Sequence, residues 1–154
     1  MLTAKDLMTS DVKSCTANSD LAMVAKIMWD GDCGTVPVVN EERKVIGMIT
    51  DRDICIAAAT RSTTPANIRV RDVMAGNIFT CSVEDDVRTV LKTMKERRVR
   101  RLPVVDKQHR LVGIISTNDL VARAECRPGA DVPGEEFLAT LKSICRHSTA
   151  AVAA

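Results

Sequence analysis

Apolar and polar positions follow two rhythms along this chain, and both come in the same order twice. Between residues 20 and 30, Leu21, Val24, Ile27 and Met28 recur at three- and four-residue intervals, the spacing of one helical face, with Ala22 and Ala25 adding propensity. Asn18 or Ser19 can cap that helix, and Gly31 stands where a helix stop is favoured. Ahead of it, residues 4–8 suggest one helical turn docking on the body, and residues 12–16 a short extended piece. After it, Val36-Pro37-Val38-Val39 and Val45-Ile46-Gly47-Met48-Ile49 read as a hairpin around a polar turn, with Pro37 arguing for an edge strand or the first position of a strand. A second helix is expected from Asp51 to about Thr60, burying Ile54, Ala57 and Ala58. The unit is strand, helix, strand, strand, helix, and residues 61–67 read as a linker.

The unit returns 66 residues later. Asp6-Leu7-Met8 matches Asp72-Val73-Met74, Asp20 matches Asp86, Met28 matches Met94, and Pro37-Val38-Val39 matches Pro103-Val104-Val105. Gly47 matches Gly113, and Asp53 matches Asp119. Each short sheet has one face to bury, and the other copy is the nearest surface, so the expectation is an α/β fold of two β-α-β-β-α repeats packed with pseudo-twofold symmetry. The repeats are expected at 1–62 and 63–124, followed by a C-terminal linker and short helix at 125–154. Residues 127–134 are rich in breakers, Phe137, Leu138, Leu141 and Ile144 then recur at helical spacing, and residues 148–154 are expected to fray.

Composition narrows the function classes. The 154 residues carry a net charge of +2, two Phe, one Trp and no Tyr, so the core is aliphatic and little is available to stack on bases. With no recognition motif, nucleic acid is disfavoured as a partner. The six Cys form no CxxC pair and there are two His, which argues against a zinc site by local motif. Four Cys lie in or beside apolar runs, as small hydrophobes in a reducing compartment do. Without a signal-like start or an apolar run of membrane length, the expected location is the cytoplasm, with no membrane contact. The paired methionines Met8, Met28, Met74 and Met94 read as core filler, and neither His has a nucleophile at a recognisable spacing, so no catalytic residue, metal or catalytic cofactor is expected.

Three signals, ordered twice, carry a resemblance: Val70-Arg71-Asp72-Val73-Met74 at the start of a repeat, Leu102-Pro103-Val104-Val105-Asp106, and the strand-to-helix turns Gly47-Met48-Ile49-Thr50 and Gly113-Ile114-Ile115-Ser116. Over residues 1–124 the sequence resembles a pair of CBS domains, a Bateman module, and in particular small stand-alone bacterial CBS proteins. The resemblance implies a regulatory rather than catalytic module, frequent homodimers, an unidentified regulated protein as partner, and adenosine-containing ligands in clefts between repeats. AMP, ADP, ATP and S-adenosylmethionine are the candidates. The alternative is a structural or interaction protein whose clefts hold no physiological nucleotide.

The residue types suit such ligands. Asp53 and Asp119 fall three residues after Thr50 and Ser116, the spacing of a capping box, and a carboxylate there can accept from both ribose hydroxyls. Carried over from the family, one site would use Ser14, Cys15, Thr16, Gly34, Thr35, Val36, Thr50 and Asp53. The other would use Phe79, Thr80, Cys81, Arg100, Arg101, Leu102, Ser116, Thr117 and Asp119. Asp32 and Asp51 lie near the first site and oppose a polyphosphate unless Arg52 or a metal offsets them, while residues 92–110 are rich in Arg and Lys, so the second site is expected to favour phosphate.

Overall fold

The computed structural model describes residues 2–146. A short helix, α1 (Ala4–Leu7), precedes the first repeat, which runs β1 (Cys15–Thr16), α2 (Leu21–Asp30), β2 (Thr35–Val39), β3 (Val45–Thr50) and α3 (Asp51–Thr60). Single 3-10 turns at Pro65–Asn67 and Val70–Asp72 lead into β4 (Cys81–Ser82), α4 (Val87–Arg97), β5 (Arg101–Val105), β6 (Leu111–Ser116) and α5 (Thr117–Val121). The tail adds β7 (Ala124–Glu125), β8 (Val132–Pro133) and α6 (Gly134–Cys145). The two repeats have the expected αβ form. The pairing of β7 with β8 inside the expected linker was not anticipated, because two-residue strands leave no periodicity to read.

Local chemistry explains the boundaries. Asp20, rather than Asn18 or Ser19, caps α2 by accepting from the Met23 amide at 2.8 Å. Its mate Asp86 caps α4 through the Thr89 amide at 2.7 Å. At the far end of α2 the positive φ falls on Asp32 (45°), one residue after Gly31. In α3, Ala57 is buried and Ile54 partly so, but Ala58 is exposed, which narrows the expected apolar face.

Each repeat has a three-stranded sheet with the proline-bearing strand in the middle, ordered β1-β2-β3 and β4-β5-β6. The expected edge or first position for Pro37 therefore does not hold, for a reason visible in the register. β1 reaches only Val38 and Val39, so it does not extend to Pro37. On the other side Pro37 faces Met48, whose own N–H and C=O are taken by Ala75 at 3.1 and 2.9 Å. Pro37 sits at a pair where no ladder bond to β3 is required, so its missing donor costs nothing. Pro103 repeats the arrangement against Ile114, which exchanges bonds with Thr9 at 2.9 and 3.0 Å.

Those two exchanges interlock the repeats. Ala75, at the start of the second repeat, pairs with β3 of the first, and Thr9, at the start of the first, pairs with β6 of the second. Gly47 and Gly113 lie at these crossings. A Cβ on Gly47 would come within 2.7 Å of the Met74 Sδ and 3.1 Å of the Ala75 carbonyl oxygen, and one on Gly113 would meet Met8 and the Thr9 carbonyl. The two cores are crossed in the same sense. Ile68 and Val70, from the stretch between repeats, pack with Cys15, Leu21, Val36 and Ile49. Ala4 and Leu7, from the chain start, pack with Leu91, Leu102, Ile115 and Leu120. The docking turn expected at residues 4–8 is therefore part of the second core. The expected fraying of residues 148–154 lies outside the described residues.

Candidate functional site: an inter-repeat cleft

The strand-to-helix corners form as capping boxes. Thr50 N–H and Oγ1 donate to Asp53 Oδ2 at 2.9 and 2.6 Å, and the Asp53 amide donates back to Thr50 Oγ1 at 3.2 Å. The Ser116–Asp119 corner repeats this at 2.7, 2.6 and 3.4 Å. Asp therefore does the work usually given to Glu or Gln, and it fixes the rotamer of each carboxylate. Within the described residues Oδ1 of both aspartates accepts no hydrogen bond, so each corner offers one committed and one available carboxylate oxygen.

A cavity of about 510 Å³ opens between the repeats at the Asp119 corner. One wall is Ile114, Ser116, Asn118 and Asp119, with Arg101 beside them. The opposite wall comes from the first repeat: the segment Thr9 to Lys13 ahead of β1, and the loop Asp30 to Thr35 that joins α2 to β2. Gly31 and Gly34 keep that loop thin.

The grouping differs from the one expected. Gly34 and Thr35, assigned with Asp53, line the cavity together with Arg101, Ser116 and Asp119, because the crossing places each repeat's loop against the other's corner. Thr35 also remains the register partner of Thr50 in its own sheet. Cys15, Val36, Cys81 and Leu102 are core side chains, at most 4% exposed, so their contribution to a cleft is limited to main chain. Thr16 turns to Ser19, with their hydroxyls 3.2 Å apart, and neither it nor Ser14 lines this cavity. Thr117 and Arg100 meet through main chain, Thr117 N–H donating to the Arg100 carbonyl at 3.0 Å. Phe79 lies under the Arg97 guanidinium, 4.8 Å from the ring centroid, and Thr80 beside it is half-buried. The sequence reading missed Asp11, Lys13 and Asp30. They precede β1 or close α2, and only the crossing brings them to Asp119.

The charge of this cavity also reverses the expectation. Of the basic run at residues 92–110 only Arg101 lines it, against Asp11, Asp30, Asp32 and Asp119. Asp11 is paired with Lys13 at 3.1 Å, and Asp30 with Lys26 at 2.9 Å. That leaves Asp32 and Asp119 facing Arg101, a slightly negative site. The positions related by the repeat are the opposite: Gly31, Asp32 and Gly34 become Arg97, Arg98 and Arg100, and Asn118 becomes Arg52. By the repeat, the Arg run and the Arg97–Phe79 stack hold the positions that Gly31, Asp32, Gly34 and Lys13 hold at the Asp119 cleft.

The CBS domain family matches residues 4–59 and 70–125, which is both repeats. The chain belongs to the CBS-domain family. Hypoxic response protein 1 of Mycobacterium tuberculosis is 28% identical over 145 residues, covering 94% of this chain and 95% of that protein. The crystal structure of Hypoxic Response Protein I with two coordinated zinc ions superposes with a TM-score of 0.68 at 30% identity, covering 79% of this chain and 98% of that one. The CBS domain pair of protein MJ0100, solved in complex with 5′-methylthioadenosine and S-adenosyl-L-methionine, gives a TM-score of 0.70 at 27% identity, over 79% of this chain and 94% of that one. Among the described residues of this CBS pair, no group of three or more His, Cys, Asp or Glu is placed to hold a metal ion, and no helix is long and apolar enough to cross a membrane.

Proposed function

We propose that this CBS pair is a regulatory, ligand-sensing module whose cleft at Asp119 holds an adenosine-containing small molecule. The observation that carries the reading is the cavity that joins the Asp119 corner of one repeat to the loop of the other. A ribose placed there would give its hydroxyls to Asp119 Oδ1, with Oδ2 held by Ser116. The main chain of the Gly31–Thr35 loop is close enough, for want of side chains at both glycines, to meet a purine edge. The related MJ0100 pair holds two such compounds, which supports the class of ligand.

Charge sets an order within the class. Asp32 and Asp119 oppose a triphosphate, so S-adenosylmethionine or methylthioadenosine is favoured over ATP at this cleft. AMP, ADP and ATP are better suited to the arginine-rich positions across from Asp53. A ligand touching both walls stabilises one arrangement of the repeats over another, and that differential affinity is the signal passed to a partner protein. Calorimetric titration with S-adenosylmethionine, methylthioadenosine, AMP and ATP is the test. The first two should bind saturably and lose at least tenfold in affinity in Asp119→Asn, with ATP weaker than either at this site. Absence of saturable binding by all four to the folded protein would refute the reading.

A further inference from the structure

The charges left over in the Asp119 cleft are of both signs and come from different repeats. Arg101 opens β5 as the register partner of Ser116, beside the corner that holds Asp119. It is half-buried, and among the described residues it enters no ion pair. Asp32 lines the cleft from the loop of the first repeat and is unpaired in the same sense. The other charges cancel in the pairs Asp11–Lys13 and Asp30–Lys26. The main chain of the loop is fixed. The amides of Gly31, Asp32 and Cys33 donate back to the carbonyls of Ile27, Trp29 and Met28 at 3.0, 3.3 and 3.0 Å, and the Asp51 amide donates to the Gly34 carbonyl at 3.1 Å. Those three loop amides are spent, so they have nothing to offer a phosphate. Asp30 and Gly31, at the end of α2, belong to the same wall and bring the negative end of that helix's dipole to it. The first-repeat wall therefore favours a cation, and the Arg101 side an anion.

We infer that this cleft selects its adenosyl ligand by an α-amino-acid arm on the 5′ carbon, Arg101 taking the arm's carboxylate and Asp32 its ammonium or sulfonium, a specificity that rests on the adenosyl reading proposed above. Asp119 is committed to the ribose, which leaves one cation and one anion for whatever the 5′ carbon carries. S-adenosylmethionine brings a carboxylate, an ammonium and a sulfonium, one net positive charge in all. Arg101, Asp32 and Asp119 together carry one net negative charge, so site and ligand are complementary group by group and in sum. Methylthioadenosine is uncharged and engages neither Arg101 nor Asp32. Nucleoside phosphates present only negative charge, which Asp32 repels. A guanidinium meets a carboxylate through two parallel N–H donors, which orients the arm as well as holding it. The positions related by the repeat lack this pair: Asp32 becomes Arg98 and Arg101 becomes Thr35. The selectivity therefore belongs to the Asp119 cleft alone.

Calorimetric titration of the full chain with three ligands is the test. S-adenosylhomocysteine keeps the amino-acid arm without the sulfonium charge, and methylthioadenosine lacks the arm. The wild type should bind S-adenosylmethionine tightest, then S-adenosylhomocysteine, then methylthioadenosine. Rising salt should weaken the first and leave the last unchanged. Arg101→Gln should weaken both arm-bearing ligands about tenfold, the worth of one charge-assisted contact, with methylthioadenosine unaffected. Asp32→Asn keeps the side-chain size and the tolerance for a φ of 45°. It should weaken S-adenosylmethionine about threefold, as befits an exposed charge, and S-adenosylhomocysteine less. Asp32 is exposed, so its variant folds whatever Arg101→Gln does, and circular dichroism checks both. Folded variants that keep S-adenosylmethionine affinity, or lose all three ligands equally, overturn the inference and leave the adenosyl reading standing. Failure of all three ligands to bind the wild type overturns both.

Discussion

At the scale of residues, Cys15 and Cys81 hold matched places in the first strand of each repeat, and each is sealed in a core. Burial pushes the Cys15 thiol from 9.0 up to about 11. Burial, with Asp85 adding to it, pushes Cys81 up to about 12. The sign follows: the folded state keeps protons that the unfolded state releases near pH 9, so this stability is complete below that pH and is lost as pH rises through the folded values. Denaturant midpoints should therefore fall steadily above pH 9, and more slowly in Cys15→Ala/Cys81→Ala. An alkylating reagent at pH 8 should label Cys55, Cys126 and Cys145, which are exposed, while Cys15 and Cys81 react after unfolding. Labelling of Cys81 in the native protein at that pH would contradict its burial.

At the scale of elements, the chain starts helices with one device used three times. Thr3 with Asp6, Thr50 with Asp53 and Ser116 with Asp119 are all capping boxes in which Asp closes the ring. Thr50→Ala and Ser116→Ala should each cost about 1 kcal/mol of unfolding free energy, the usual worth of such a cap. The losses should be additive, since the two corners share no partner. Urea denaturation of the single and double variants measures both points, and a double variant no less stable than either single would show that the corners are not structural. The Thr50 and Ser116 boxes were legible from spacing alone. The caps of α2 and α4 were not singled out, because Asp20 competes with Asn18 and Ser19, and only the geometry of Met23 decides among them.

At the scale of the molecule, the two cores each borrow a segment from outside their own repeat. Leu7 packs in the second core and Ile68 in the first. Leu7→Ala and Ile68→Ala should each destabilise by about 2–5 kcal/mol, the range for emptying a buried aliphatic site. Hydrogen exchange distinguishes them: Leu7→Ala should first expose amides of β5 and β6, although they are about a hundred residues away in sequence, and Ile68→Ala those of β2 and β3. Loss of protection first in β2 and β3 for Leu7→Ala, or first in β5 and β6 for Ile68→Ala, would refute the crossed arrangement.

The sequence by itself determined what is periodic or repeated. Apolar spacing defined α2, α3 and α6 to within a residue or two, and the 66-residue offset defined α4, the paired sheets and the two aspartate corners. Those features depend on contacts between near neighbours in the chain, so their signal is local. Tertiary structure decided which loop faces which corner. It moved Asp32, Gly34 and Thr35 to Asp119, withdrew Cys15, Val36, Cys81 and Leu102 into the cores, and brought in Asp11 and Asp30. It also left Trp29 outside while α6 covered the equivalent face. These outcomes follow from the exchange of Thr9 and Ala75 between sheets, a pairing of main-chain groups that no side-chain pattern encodes.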